Sequence, residues 1–396
     1  VLETINWDDV AEFRPSVLPE GDEDLSLSKE IGTAHEYLFT EQDRKPAWKI
    51  VVISHNIQAS SQEARVDILF VSHHAIADGT SCAAFHKTLI KFLHEATVQP
   101  NLHASWPYEV PAELPTIPFI EQVCPFAVRP EYIPTDKGIT SRLDPWTGAP
   151  PTLDGFASVV KPITIPPSNV SMILTYCRGL KITLTGLLHS LIVMYLAKAI
   201  PDAHGFRAGT PYSMRRFSGA SDNEILNHIS QINTDWDENI VSSARSAAEG
   251  SKEEQDVILK ITTQYQAEIT EELSRMHERG AGAINKVSKI KDIDQYCEDV
   301  VKGSRTDTYE ISNIGVVSLP EQPMERNEVE LQKLTFTQSP MVAGSAIGCS
   351  VISIKSKPLV VSLHWQKDIV GDDFMHQMGG YIEQRLLHLG ETRYKQ

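Results

Sequence analysis

The chain has 396 residues, 41% of them hydrophobic and 22% charged, a balance that excludes disordered and fibrous classes. Its 36 Lys and Arg against 52 Asp and Glu leave a net charge of −16, which excludes general affinity for nucleic-acid backbones or anionic lipid. At about 100 to 200 residues per domain, the length predicts two substantial domains.

In chain order, "WKIVVIS" from Trp48 and "RVDILFVSHH" from Arg65 read as two strands joined by the polar loop "HNIQASSQEA". The second is apolar on both alternating faces, which predicts a central strand covered on both sides. After Gly79 the period changes, with Cys82, Phe85, Leu89, Phe92 and Leu93 recurring at helical spacing. The stretch "HHAIADG", His73 to Gly79, therefore sits at a strand-to-helix corner.

From Pro100 to Pro167 prolines are dense and periodicity is weak, which predicts a connecting segment and places the domain boundary at its end, 1–166 and 167–396. Two helices follow, "NVSMILTYCRGL" and "TLTGLLHSLIVMYLAKAI", then a strand "GFRAGTPYSM" and polar helices from about Ser251 to Lys302. The strands "TYEISNIGVVSL", "VELQKLTFTQ", "AIGCSVISIK" and "LVVSLHWQ" come next, the last two joined as a hairpin by "SKP", and an amphipathic helix "DDFMHQMGGYIEQRLLHL" closes the chain. No apolar run reaches the roughly 18 residues of a membrane span, and no signal-peptide pattern is present. The five cysteines are odd in number, scattered and without metal-type spacing, so they read as reduced thiols of a cytoplasmic protein with no metal site.

Consecutive strand residues point to opposite faces, so His73 and His74 cannot share one ligand while the strand stays regular. A His-His-Asp metal site is disfavoured on that ground. His74, nearest the turn, is the candidate general base, and His73 is expected to be a buried ring held by hydrogen bonds. Asp78 before a helix reads as an N-cap and Gly79 as a turn residue; the functional alternative has Asp78 pointing inward to an arginine, fixing the backbone that carries His74.

"HHAIADG" resembles the HHxxxDG signature of the acyltransferase superfamily that holds chloramphenicol acetyltransferase, the condensation domains of peptide synthetases, plant BAHD enzymes and alcohol acetyltransferases. "PWTGAPP", "CRGLKITLTGLLHSLIV", "PYSMRRF" and "YEISNIG" are similar to the fungal alcohol acetyltransferase branch, from about Trp48 to the last helix, whereas the BAHD signature DFGWG is absent. The resemblance implies an α/β (α+β) fold of two chloramphenicol-acetyltransferase-like subdomains with mostly antiparallel sheets flanked by helices. An active-site tunnel is expected between them, with a late segment crossing from the second subdomain to the first. Relatives usually carry more chain before the motif than the 72 residues here, which puts one tunnel wall in question.

Carried over by position, His74 is the general base and Asp78 the structural acid. Arg215 takes the arginine place and is the expected partner of Asp78, although Ser213 stands where relatives often have Asp. Asn313 in "SNIG" is expected across the tunnel from the histidine. The implied reaction moves an acyl group from a thioester, acyl-CoA or a carrier protein, to a hydroxyl or less readily an amine of a small molecule in fungal secondary metabolism. No bound cofactor is expected, only acyl-CoA or the carrier thioester as co-substrate, and the protein is expected to be a monomer. Asn313, Ser312 or a backbone N–H near Gly79 would stabilise the oxyanion, with Gln338 and Ser339 as weaker candidates for substrate contact. The bland reading of Asn313 is a strand-end turn residue.

No G-x-S-x-G elbow is present, and Cys82 lies on the apolar helix face as a core residue rather than a nucleophile. The short "GAGAIN" is no dinucleotide loop. A phosphate-bearing donor needs a local basic patch, for which Lys286, Lys289 and Lys291 are the candidates. Two rival readings keep the fold: a cyclisation or elimination without an acyl donor, and a non-catalytic small-molecule binder.

Overall fold

Both strands predicted in the first hundred residues form, and they pair with each other. The computed structural model describes residues 2–16, 23–55, 65–98, 106–114, 116–124, 143–276, 290–319 and 329–391. The N-terminal portion runs β1 (Thr4–Ile5), α1 (Trp7–Val10), β2 (Ala11–Pro15), α2 (Glu23–His35), β3 (Trp48–Ser54), β4 (Val66–Ser72), α3 (Gly79–Val98), β5 (Tyr108–Glu109) and α4 (Ile120–Val123). In the three-stranded sheet β2-β3-β4, β3 lies parallel to β2 and antiparallel to β4.

Among the described residues β4 is therefore an edge strand, not the central one its sequence predicts. Its unbroken apolar run has another cause, since both faces are covered. Leu69 packs with Leu27 and Ile31 of α2, and Phe70 stacks on Phe85 of α3 with ring centroids 4.2 Å apart.

The rest of the chain runs β6 (Ser158–Ile165), α5 (Pro167–Leu180), α6 (Leu184–Ala199), β7 (Phe206–Ser213), α7 (Arg215–Ser218), β8 (Ile229–Trp236), α8 (Glu238–Ser246) and α9 (Lys252–Ser274). There follow α10 (Ile293–Lys302), β9 (Asp307–Val317), β10 (Ser345–Ile354), β11 (Leu359–Gln366) and α11 (Asp372–Glu391). These strands build one sheet in the order β6-β11-β10-β9-β7-β8, with the predicted β10–β11 hairpin antiparallel and β9 parallel to both β10 and β7. Across the sheets, five of the eight strand pairings are antiparallel.

Strand β6 pairs with β11 at the sheet's edge, so a boundary at 166 cuts this sheet rather than bounding it. Its Pro162 disguised it as connecting chain, and an edge strand tolerates a proline because one side needs no ladder donor. The predicted strand "VELQKLTFTQ" does not form: residues 329–338 enter no ladder among the described residues. They form a strap across the N-terminal portion. His94 of α3 donates to the Val329 carbonyl at 2.8 Å, Lys333 reaches Asp24 of α2 at 2.7 Å, and the Ser339 hydroxyl donates to the His35 carbonyl at 3.2 Å.

The two faces of the large sheet differ in chemistry. One carries Tyr309, Ile311, Cys349, Val351, Val361 and Leu363 against α6, whose Leu187, Leu188, Leu191, Ile192, Val193 and Met194 are fully buried. A helix apolar all round needs cover on every side, and α8, α9 and α11 supply the rest. Residues paired across neighbouring strands share a face, so the other face carries the rows Glu310–Gly348–His364 and Ser312–Ser350–Ser362. Ile314 continues the alternation of Glu310 and Ser312 onto this second face, just where the register with β10 shifts, and joins Ile352, Phe336 and Ala83 of α3.

Candidate active site

The strand-to-helix corner is tied down by one buried carboxylate. Asp78 Oδ1 accepts from the Ser81 amide at 2.8 Å, which is the N-cap bond of α3, and from the Ser81 hydroxyl at 2.8 Å. The same oxygen accepts from Arg215 Nη2 at 2.8 Å, while Oδ2 accepts from the His228 amide at 3.2 Å. The capping and ion-pair readings of Asp78 are thus both realised by one side chain. Asp78 and Arg215 are 2% and 3% exposed, so neither charge has water as an alternative partner. Arg215 also donates to the carbonyls of Ser221 and Glu224, and the Asp78 amide donates to the Leu226 carbonyl at 3.0 Å. Residues 215–228 and the start of α3 are thereby one hydrogen-bonded unit.

Gly79 opens α3 in close contact with its neighbours: a Cβ there would lie 2.9 Å from Ile314 Cδ1 and 2.9 Å from Phe336 Cζ, so these side-chain ends would have to shift. The corner is therefore seated against the β9 bulge and the strap. Strand β4 stops at Ser72, so both histidines lie in the turn beyond it and the alternation of strand faces no longer governs them. Both are exposed.

The expected burial of His73 does not hold: its ring accepts from the Ala75 amide at 3.1 Å and lies edge-on to Phe39, at the surface. His74 Nδ1 lies 3.1 Å from the Ala77 carbonyl, which only accepts, so Nδ1 carries the proton. That fixes the tautomer and leaves Nε2 with a free lone pair. The His74 carbonyl accepts from Asn227 Nδ2 at 2.6 Å, a second fastening of the loop.

Asn313 sits elsewhere than the resemblance implies. Its amide nitrogen donates to Thr185 Oγ1 at 3.0 Å and its oxygen accepts from the Gly315 amide at 2.8 Å, on the α6 face of the sheet. The α3 corner rests on the opposite face, the one that carries Ser312. Gln338 donates to Glu310 and Ser339 to the His35 carbonyl, both on the strap rather than at the corner. Burial pushes the Cys82 thiol up to about 11, which keeps it protonated at neutral pH and excludes a thiolate nucleophile.

Lys286, Lys289 and the "GAGAIN" stretch lie outside the described residues, and Lys291 is exposed. Among the described residues no group of three His, Cys, Asp or Glu side chains is gathered to hold a metal ion, and no single helix is long and apolar enough to cross a membrane. Sequence reasoning missed Ser81, Asn227 and His228. Ser81 was findable, because it occupies the third helical position after an Asp cap.

A family model described as alcohol acetyltransferase matches residues 1–378. The probable alcohol acetyltransferase FCK4 of Fusarium pseudograminearum is 24% identical over 367 residues, 88% of this chain and 72% of its own. The probable alcohol acetyltransferase crmB of Aspergillus fumigatus is 22% identical over 369 residues, 90% of this chain and 76% of its own. Among solved structures, the TRI3 trichothecene 15-O-acetyltransferase of Fusarium sporotrichioides superposes with a TM-score of 0.61 at 14% identity, covering 96% of this chain and 76% of that one. The epimerization domain from the third module of tyrocidine synthetase B superposes with a TM-score of 0.54 at 11% identity, covering 96% and 79%. The structures establish a two-subdomain acetyltransferase and condensation-domain fold, and the match over residues 1–378 establishes the lineage: this chain belongs to the alcohol acetyltransferase family of O-acyltransferases.

Proposed function

We propose that the protein transfers an acyl group from acyl-CoA to a hydroxyl of a small molecule, with His74 as general base. The observation that carries this reading is the exposed His74 ring with its Nδ1 proton held by the Ala77 carbonyl. Nε2 takes the acceptor's hydroxyl proton as the oxygen bonds to the thioester carbonyl carbon. The tetrahedral oxyanion then collapses, the C–S bond breaks, and the proton passes from Nε2 to the departing thiolate. Neither a covalent enzyme intermediate nor a metal enters.

Asp78 and Arg215 are positioning residues: they fix the backbone from which His74 projects. For the oxyanion, the first free N–H of α3, at Gly79, is the preferred donor, since the amides of a helix's first turn are unsatisfied and lie at the positive end of its dipole. The Ser312 hydroxyl, on the facing row of β9, is the second. Asn313, with its amide engaged by Thr185, is left out. The family favours acyl-CoA over a carrier protein as donor. The acceptor belongs to fungal secondary metabolism, and the enzyme works as a cytoplasmic monomer. The acyl-CoA-free cyclisation and the silent binder remain the rivals that the test separates.

Incubation with acetyl-CoA and a panel of alcohols, read by mass spectrometry, tests the proposal. Wild-type protein should add the acetyl mass to an acceptor, and His74→Ala should lower kcat by about 10² to 10⁴. Unchanged turnover in His74→Ala, or product without added acyl mass, overturns it.

A further inference from the structure

On the same sheet face as the α3 corner, a small cavity of about 10 Å³ is lined by Glu310, Gln338, Met341, Ser345, Gly348 and His364. Three of the polar side chains that line it are buried: Glu310, Ser345 and His364 are 2%, 5% and 2% exposed. Two of its polar atoms, His364 Nδ1 and Ser345 Oγ, are buried with no hydrogen-bond partner. An orphaned buried donor or acceptor costs about 1 to 3 kcal/mol, so two in one cavity call for an occupant.

The cavity is also built with care for its shape. His364 Nε2 is held by the Ser350 hydroxyl at 3.1 Å, and the ring lies across Gly348, where a Cβ would come within 1.8 Å of it. Only glycine leaves the imidazole its place. Met341 and the start of β10 at Ser345 are fixed by Arg305, which donates to both of their carbonyls. The strap closes the remaining side through Gln338, whose amide donates to Glu310.

Two parallel runs connect this cavity to the His74 corner. Along β9, Ile314 touches Gly79 and Glu310 lines the cavity; along the strap, Phe336 touches Gly79 and Gln338 lines the cavity. Four residues of strand separate the two points on β9, roughly 13 Å at about 3.3 Å each.

We propose that this cavity is an acceptor subsite, binding one neutral oxygen function of the acceptor, a second hydroxyl, roughly 13 Å along β9 from the corner that carries the reacting one. A hydroxyl both donates and accepts, so it suits the orphaned imidazole nitrogen and the orphaned serine hydroxyl together. A carboxylate or phosphate is disfavoured beside Glu310, and the volume admits a single oxygen-sized group. The inference rests on the acyl-transfer reading for the identity of the ligand, not for the existence of the site.

The test uses acetyl-CoA with α,ω-diols from butanediol to dodecanediol, each beside the matching 1-alkanol. Wild-type protein should prefer long diols to the alkanol by about tenfold in KM, the value of one net hydrogen bond, and show no preference for butanediol, which is too short to bridge. Ser345→Ala should bring that ratio to about one, whereas Glu310→Gln keeps both groups that hold the hydroxyl and should keep the ratio. Ser345→Ala loses only a hydroxyl that has no partner, so its folding should be intact. A tenfold ratio unchanged in Ser345→Ala, no ratio in wild type, or an effect of Ser345→Ala on the KM for acetyl-CoA overturns the subsite.

Calorimetric titration of decanediol and 1-decanol into the His74→Ala protein separates the two readings. Tighter diol binding that depends on Ser345, with no transfer by wild type, sinks the acyl-transfer reading and keeps the subsite. Transfer without hydroxyl discrimination does the reverse.

Discussion

Removing both members of the Asp78–Arg215 pair should cost far less than the sum of removing each alone. Each is almost wholly buried, and the contact between them is 2.8 Å. Breaking a buried ion pair from one side leaves an unpaired charge and costs about 3 to 5 kcal/mol. Asp78→Ala also strips the N-cap of α3, worth about 1 kcal/mol, so it should lose about 4 to 5 in all. Arg215→Met should lose about 3 to 4 kcal/mol, at the low end because the capping bonds to Ser81 survive.

The double variant leaves no stranded charge and should be no worse than Asp78→Ala, a coupling of about 3 kcal/mol. Urea unfolding followed by tryptophan fluorescence measures this, and with an m value of about 3 kcal/mol/M each single variant moves the midpoint down by more than about 1 M. Single losses below about 1 kcal/mol, or a double variant additive within about 0.5, refute the reasoning.

Asn313→Ala should lower kcat less than about tenfold, because its amide serves Thr185; a loss of 10² or more, the usual cost of removing an oxyanion donor, places it in the chemistry. Burial pushes Glu310 up to about 7 from the usual 4.5, so the folded state keeps a proton that the unfolded chain sheds. That contribution is fully present below pH 4.5 and lost as the pH rises through 7. It amounts to about 3 kcal/mol, so Glu310→Gln should overtake wild type in stability between pH 5 and 8, and parallel curves for the two refute it. Cys82→Ala should hold kcat within about threefold and iodoacetamide should leave wild type active, since the thiol is protonated and inert. Asn227→Ala, which frees the His74 carbonyl, should lower kcat more than KM, with rescue by Asn227→Gln absent because the 2.6 Å bond has no slack.

What the sequence made legible followed period and punctuation. The helix after Gly79, the buried helix at Leu184 and the hairpin around "SKP" each carried an unambiguous repeat or turn. Strand β6 was hidden because Pro162 argues against a strand unless one already knows that the strand is an edge. The strap looked like a strand because its Leu331, Leu334 and Phe336 are apolar; they pack on α3 and the sheet without entering a ladder.

At the site, the Asp78–Arg215 contact followed from resemblance, not from any local signal, since 137 residues separate the partners. Asn313 takes the α6 face because it alternates in step with Tyr309 and Ile311, and which face that is only the strand pairing decides. Glu310 and His364 were invisible for a similar reason: a lone acid or imidazole inside an apolar strand declares itself only when the neighbouring strand is in register.

The long reach of Arg215 back to Asp78 also orders events during synthesis. A ribosome adding about 5 to 20 residues each second delivers the arginine roughly ten seconds after the aspartate. Throughout that interval the nascent corner holds a hydrated, uncompensated carboxylate and has no reason to adopt its final shape. The histidine loop can therefore take its final fastening only after Arg215 has emerged, just past the midpoint of the polypeptide.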